Sequence, residues 1–167
     1  SMVEDQESEE LDFQWFFESN YWMFGIDYIG ISSLKKISQK DIPDFLLKRS
    51  DGFHDILDLK LPIPTLFKNR GNKLDPRYQL TGGCSQIESY IGYCNENAEK
   101  IKKEFREKIY RPQGFLVIGR SNPHDKYRLR QYNDDHPKVR VLTYDDVIQR
   151  ATNILNIVSL CKFNYIN

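Results

Sequence analysis

Two strand-like segments flank a three-residue turn, and this hairpin constrains the fold more than any other feature of the sequence. The segments span residues 42–49 and 53–61, and Ser50-Asp51-Gly52 joins them. A three-residue hairpin loop favours glycine at its last position, where the backbone is left-handed. This turn pairs Arg49 with Phe53, so the numbers of paired residues sum to 102 along both strands.

The same register brings acidic and basic side chains to one face of the hairpin. Asp44 lies opposite Asp58, and Lys60 shares the face of Asp58 because side chains alternate along a strand. Mg²⁺ prefers oxygen ligands and usually keeps waters and a substrate phosphate oxygen. The two aspartates and the Leu59 carbonyl are therefore candidate ligands, and Lys60 is placed to orient an attacking water or to stabilise charge on a phosphate.

This cluster indicates metal-assisted hydrolysis of phosphodiester bonds, and an ordinary structural role is the alternative. In that alternative Asp44 begins a strand after Pro43, and Asp58 and Lys60 lie on a solvated sheet face. Asp55 is close in sequence, but its odd spacing from Asp58 predicts that it points to the opposite face.

The rest of the chain alternates helical and strand patterns. Aromatic residues from Leu11 onward predict an opening helix, and apolar residues at threes and fours predict one long helix from Leu80 to Ile109. A loop at 61–76 precedes that helix. A buried strand at 115–119, a helix at 125–132, a strand at 139–143 and a last helix to about Leu160, capped by Asp145 or Asp146, complete the order. We therefore expect an α/β fold, a mixed sheet with an antiparallel hairpin flanked by helices.

Length and composition favour one globular domain. The chain has 167 residues with 24 basic and 24 acidic side chains, and the first ten residues hold five acids and no base. We expect a disordered acidic tail or tag over 1–10 and a single domain over 11–167, with no membrane span. Three cysteines without CxxC spacing indicate a reducing cytoplasm, and Cys84 and Cys94 fall on the apolar stripe of the long helix. The three histidines show no metal-ligand spacing.

The hairpin residues match a known catalytic pattern. Pro43-Asp44 followed after thirteen residues by Asp58-Leu59-Lys60 matches the PD-(D/E)xK pattern of restriction-endonuclease-like nucleases. More narrowly, the chain resembles the C-terminal nuclease domain of the Shedu anti-phage defence proteins. The stretches that carry the resemblance lie at 16–20, 43–47, 51–53, 58–62, 85–90, 114–120 and 142–146.

This resemblance implies roles for individual residues. It makes Asp44 and Asp58 metal ligands, Lys60 the catalytic lysine and Gln86 a site glutamine, with Tyr90 one helical turn further on and Glu18 completing the metal shell. Gln86 and Tyr90 could instead form an ordinary polar helix flank, and Glu18 could be a solvated charge. The chain departs from the family at Asp58, where glutamate is frequent, and at Tyr21, where proline is frequent.

The acidic cluster and the family resemblance together predict an activity, a metal and partners. We expect a Mg²⁺-dependent nuclease, with Mn²⁺ as a substitute, that cleaves DNA in the cytoplasm as part of prokaryotic antiviral defence. The resemblance implies a homo-oligomer, and Arg120, Lys126 and Arg128 are candidate contacts to nucleic-acid phosphates. The alternative is a nuclease-fold module that binds nucleic acid or a partner protein without cleaving.

Overall fold

A computed structural model describes residues 15–32, 43–62, 65–68 and 74–164. The acidic segment 1–10 lies outside these ranges. The elements are a helical segment α1 at 15–19, a 3-10 helix at Tyr21–Phe24, and strands and helices β1 (Tyr28–Ser32), β2 (Phe45–Arg49), β3 (His54–Leu59), α2 (Tyr78–Glu96), α3 (Ala98–Phe105), β4 (Gly114–Val117), α4 (Lys126–Asp135), β5 (Val139–Leu142) and α5 (Tyr144–Asn164). Within these ranges no helix combines the length and the apolar character that a bilayer crossing requires.

The strands form one mixed sheet in the order β1-β2-β3-β4-β5. The pairs β1–β2 and β2–β3 are antiparallel, whereas β3–β4 and β4–β5 are parallel. The predicted α/β fold with a hairpin in a mixed sheet is confirmed. The parallel strands all end at the same edge of the sheet, which gathers the segments that follow β3, β4 and β5 into one region.

The hairpin adopts the predicted register. Phe45 pairs with Leu57 and Lys48 with His54, and the Arg49 N–H donates to the Phe53 carbonyl at 2.8 Å. Gly52 has φ 84°, the left-handed conformation that the turn requires. The Asp51 carboxylate accepts from the Phe53 N–H at 3.1 Å and so stabilises the turn. Local turn chemistry therefore sets the register, although both strands are shorter than predicted.

Two apolar clusters bury both faces of the sheet. Leu46, Ile56 and Leu116 pack under α2 on one face, whereas Phe45, Leu57 and Val117 pack against α5 and the opening segment on the other. Because both faces are covered, β4 is buried along its whole length, which explains its uninterrupted apolar sequence.

Cysteine placement follows the sequence pattern. Cys84 and Cys94 are buried in the cluster beneath α2, as predicted, and burial raises the pKa of each thiol to about 11. Cys161 is exposed on α5. The two α2 thiols are therefore core residues and not nucleophiles.

The predicted long helix is wrong in its second half. It breaks at Asn97, where the side-chain amide and the backbone N–H both bond to the Tyr93 carbonyl, and α3 then ends at Phe105. Arg106 follows in a left-handed conformation with φ 59°, which terminates the helix. Ile109 therefore reaches the core from an irregular segment and not from a helix.

The structure differs from the sequence prediction in two further places. Edge strand β1 was not predicted, because Gly30 lies in its middle and its side chains do not alternate cleanly between buried and exposed. The last helix is capped by Thr143, and not by Asp145 or Asp146. The Thr143 hydroxyl accepts from the Asp146 N–H at 3.1 Å while the Asp146 carboxylate accepts from the Thr143 N–H at 2.8 Å.

Helix α2 packs closely on the sheet at Gly114, and we expect Gly114→Ala to destabilise the protein. A Cβ there would overlap the Ile87 side chain and lie 3.3 Å from the Lys138 carbonyl oxygen. Overpacking of this kind costs about 1–3 kcal/mol, which urea unfolding would measure. Gly92→Ala is the control, because nothing lies within 4 Å of its Cβ and alanine in a helix interior stabilises by about 0.5–1 kcal/mol. Equal stability of the two variants would contradict this packing.

Candidate active site

Asp44, Asp58 and Lys60 meet where β3 ends. Asp58 is only 2% exposed, and its Oδ2 lies 2.8 Å from the Lys60 ammonium. Asp44 immediately precedes β2, and its Oδ2 accepts a hydrogen bond from the Leu59 N–H at 2.7 Å. The predicted register and the observed contacts thus bring all three residues together.

The position of Asp58 in the sheet explains its burial. Asp58 pairs in register with Leu116 of β4, and α2 passes directly over Leu116 at Gly83. A Cβ at Gly83 would lie 2.9 Å from Leu116 Cδ2, so the helix backbone is in close contact with the sheet there. A carboxylate in such a place is costly unless it is paired. The Lys60 ammonium compensates that charge while its own side chain remains partly open to solvent.

The backbone of Lys60 is held on both sides. Its N–H donates to the Val117 carbonyl at 2.9 Å, and its carbonyl accepts from the Tyr144 hydroxyl at 2.8 Å. Tyr144 begins α5, and its ring packs against Phe17 with centroids 6.2 Å apart. Sequence reasoning did not identify Tyr144 as a site residue, because this contact spans 84 positions and no spacing rule indicates it.

We expect Tyr144→Phe to slow the predicted DNA cleavage more than it destabilises the fold. The variant loses one hydrogen bond, worth about 1 kcal/mol, and leaves the Lys60 carbonyl unsupported. Displacement of Lys60 by a fraction of an ångström would lower the cleavage rate about tenfold. Rates measured well below the melting temperature would test this, with Tyr78→Phe on an 80% exposed ring as the control. A rate that falls no further than in the control would show that Tyr144 has only a packing role.

Gln86 and Tyr90 contact each other on α2. The Gln86 side-chain amide donates to the Tyr90 hydroxyl at 2.6 Å, and Tyr90 is buried whereas Gln86 is half-buried. The pair lies on the helix that covers the Asp58 face of the sheet. Its role in catalysis stays a prediction.

Glu18 lies apart from the hairpin in the chain and is exposed on α1. Its neighbour Phe17 packs into the cluster on the sheet face opposite α2. Among the residues that the structure describes, no three acidic, histidine or cysteine side chains form a group that could hold a metal. The structure therefore does not group Glu18 with Asp44 and Asp58, and its role as a third ligand stays a prediction.

Asp55 faces away from the candidate site, as the alternation predicts. It accepts hydrogen bonds from the Tyr28 hydroxyl and from the Gln113 N–H, both at 2.8 Å. Burial, and then the negative charge of Asp55, raise the pKa of the Tyr28 hydroxyl. Asp55 thus ties β1 and the segment before β4 to β3, which is a structural role.

The predicted phosphate contacts differ in their surroundings. Arg120 donates two hydrogen bonds to Asp145, at 2.8 and 2.7 Å, and this guanidinium lowers the pKa of Asp145 to about 2. Arg128 lies 4.0 Å from the Asp125 carboxylate, while Lys126 is exposed. Two of the three predicted cations therefore already have acidic neighbours.

Comparison with known families supplies the context for this site. No curated protein matches the sequence. A sequence family described as the C-terminal region of the Shedu protein SduA matches residues 7–148, a range that includes the hairpin, α2 and the basic segment that follows β4. The chain therefore belongs to the Shedu SduA C-terminal family.

Proposed function

We propose that this protein is a metal-dependent nuclease that hydrolyses DNA phosphodiester bonds. The observation that carries the proposal is the buried Asp58 carboxylate, which is paired with Lys60 beside Asp44 at the end of β3. The Lys60 side chain is partly exposed, so a ligand can reach this acid and lysine at the strand end. Asp55, on the same strand, shows by contrast what a structural carboxylate looks like here.

The residues present fit a hard divalent cation. Mg²⁺ is typically held by one or two carboxylates together with waters and substrate phosphate oxygens, so a complete cage of protein ligands is not needed. Asp44 and Asp58 would hold the ion, with the Leu59 carbonyl as a further oxygen donor. When bound, such an ion lowers the pKa of a water and neutralises charge on the phosphate.

The side chains of the protein supply the remaining functions. Lys60 is partly exposed, so its ammonium can reach an entering phosphate and stabilise the charge that develops there. The hydrogen bond from Tyr144 to the Lys60 carbonyl keeps this residue at the strand end. Close packing of α2 above Leu116 keeps water away from the inner side of Asp58 and strengthens its interaction with cations.

Membership of the Shedu family supports a role in antiviral defence. We further propose a homo-oligomer, because an enzyme that cuts both strands of a duplex benefits from two active sites. A non-cleaving module that binds nucleic acid or a protein is the competing function, and it predicts no metal-dependent cleavage.

A paired binding and cleavage experiment tests the proposal. Mn²⁺ is titrated into the protein by calorimetry, and supercoiled DNA, linear DNA and RNA are incubated with the protein in Mg²⁺, in Mn²⁺ and in EDTA. We expect Mn²⁺ binding and cleavage of DNA that EDTA abolishes. Binding of DNA without cleavage in either metal would favour the non-cleaving module.

A further inference from the structure

A cationic groove runs along the edge strand β5. It lies between α4 and α5 and has a volume of about 1110 Å³. Its lining includes the basic residues Arg120, Lys126, Arg130, Arg140 and Arg150. Four acidic residues also line it, so the way in which these charges pair decides what the groove can bind.

Three of the four acidic side chains that line the groove already accept hydrogen bonds from other parts of the protein. Asp145 binds Arg120, Asp146 caps α5, and Asp125 accepts from the Leu66 N–H at 2.9 Å. Within the described part of the chain, no ion pair involves Arg140 or Arg150. These two guanidiniums therefore remain available to an anion.

Arg140 of β5 and Arg150 of α5 lie close to each other. Arg140 pairs in register with Phe115, whose side chain lies on the face that α5 covers. Arg150 shares a helix face with the buried Val147 and Ala151, so it is directed toward the same face. Burial, and then the positive charge of Arg140, lower the pKa of Arg150. The Phe24 carbonyl accepts from Arg150 Nη1 at 3.4 Å and steadies the guanidinium.

Backbone chemistry at the edge strand argues against a peptide strand as the ligand. The Asn133 amide accepts from the Val141 N–H at 2.7 Å and donates to the Val141 carbonyl at 3.0 Å. Both outward backbone groups of Val141 are thereby occupied, so an extended peptide cannot pair with β5 there. An anion that binds guanidinium groups is the better fit to this groove.

We propose that Arg140 and Arg150 together bind a backbone phosphate of the nucleic acid that enters the active site. The inference rests on the proposed nuclease function. Asp58, Leu116 and Val141 are aligned across β3, β4 and β5, so Arg140, which directly precedes Val141, lies on the sheet face opposite Asp58. The groove reaches both faces, because its lining includes Val141 of the cluster beneath α2 and Leu142 of the cluster beneath α5. The phosphate that the two arginines bind therefore belongs to a part of the nucleic acid that passes round the edge strand β5, which is two strand spacings, about 10 Å, from β3.

Binding of a labelled DNA duplex in EDTA, followed by fluorescence anisotropy over a range of salt concentrations, tests the proposal. We expect the Arg140→Gln/Arg150→Gln double variant to weaken binding about tenfold to a hundredfold. The slope of log Kd against log salt should decrease by about 1 in magnitude, as expected for one lost phosphate contact. Lys103→Gln, on the exposed surface of α3, is the control and should leave both values unchanged.

A further variant and the use of EDTA keep the outcome interpretable. Arg140→Lys/Arg150→Lys retains the charges and should keep most of the salt slope, so that a folding defect in the glutamine variant is recognised. Because binding is measured in EDTA, it is observed independently of cleavage, and a wild type that binds the duplex but does not cleave it in Mg²⁺ would contradict the nuclease proposal alone. Unchanged affinity and slope in the glutamine variant would overturn the inference, as would binding of polyglutamate without binding of DNA.

Discussion

We expect Asp58→Asn to lower the rate of metal-dependent DNA cleavage by about a thousandfold or more while the protein stays folded. The substitution keeps the size of the side chain and removes the charge that a divalent cation requires. Because Asp58 is buried, loss of its charge also removes a desolvation penalty. The melting temperature of the variant should therefore stay the same or rise. Titration of Mn²⁺ into the variant should no longer give a heat of binding in calorimetry.

Asp55→Asn is the matched control for this prediction. It lies on the same strand and is similarly buried, but on the opposite sheet face. Its carboxylate accepts from Tyr28 and Gln113 and lies 3.5 Å from Arg49, so the variant should lose about 2 kcal/mol of stability. That loss corresponds to a fall of about 4–8 °C in melting temperature. Below that temperature Asp55→Asn should still cleave.

These two aspartates thus separate catalysis from stability within one strand. The predicted result is an inactive, stable Asp58 variant and an active, weakened Asp55 variant. If both variants lose stability and both retain cleavage, Asp58 is a structural residue and the nuclease proposal fails at its central residue.

The hairpin shows why part of the site was predictable from sequence. Its register depends on Gly52 and Asp51, which act on residues only a few positions away. Once that turn is fixed, alternation along the strands places Asp44, Asp58 and Lys60 on one face. Local chemistry therefore sufficed for the three residues that carry the proposed reaction.

Contacts between distant segments were not predictable in this way. The Tyr144 hydroxyl reaches Lys60, and Asp145 neutralises Arg120, because β3, β4 and β5 end at the same edge of the sheet. Nothing in the spacing of these residues records that proximity. The same reason explains why Arg120 looked like a phosphate contact in sequence, whereas Arg140 and Arg150 emerge only from the sheet register and the packing of α5.

We expect Lys60→Ala to make the stability of the protein depend on bound metal, whereas alanine at Lys48, the other lysine of the hairpin, should not. The Lys60 ammonium lies 2.8 Å from Asp58 Oδ2, on a carboxylate that is also a proposed metal ligand. Removing it leaves the buried Asp58 carboxylate without its ammonium, and because Lys60 is partly exposed we expect a loss of about 2 kcal/mol. Mn²⁺ should restore that loss, so it should raise the melting temperature of the variant more than that of the wild type.

Cleavage by the same variant should fall by about a hundredfold to ten-thousandfold even at saturating Mn²⁺, because the ion replaces the charge but not the group that acts on the water and the phosphate. Lys48→Ala is the control, as this exposed lysine of β2 pairs across the hairpin with His54 and lies outside the acidic cluster.

Adding Asp58→Asn to Lys60→Ala should recover the lost stability, since the unmatched carboxylate is then gone. If Mn²⁺ shifts the melting temperatures of Lys60→Ala and Lys48→Ala equally and the double variant recovers nothing, the ammonium does not compensate Asp58. The close approach of the two side chains would then carry no energetic coupling, and Lys60 would have no part in the metal site.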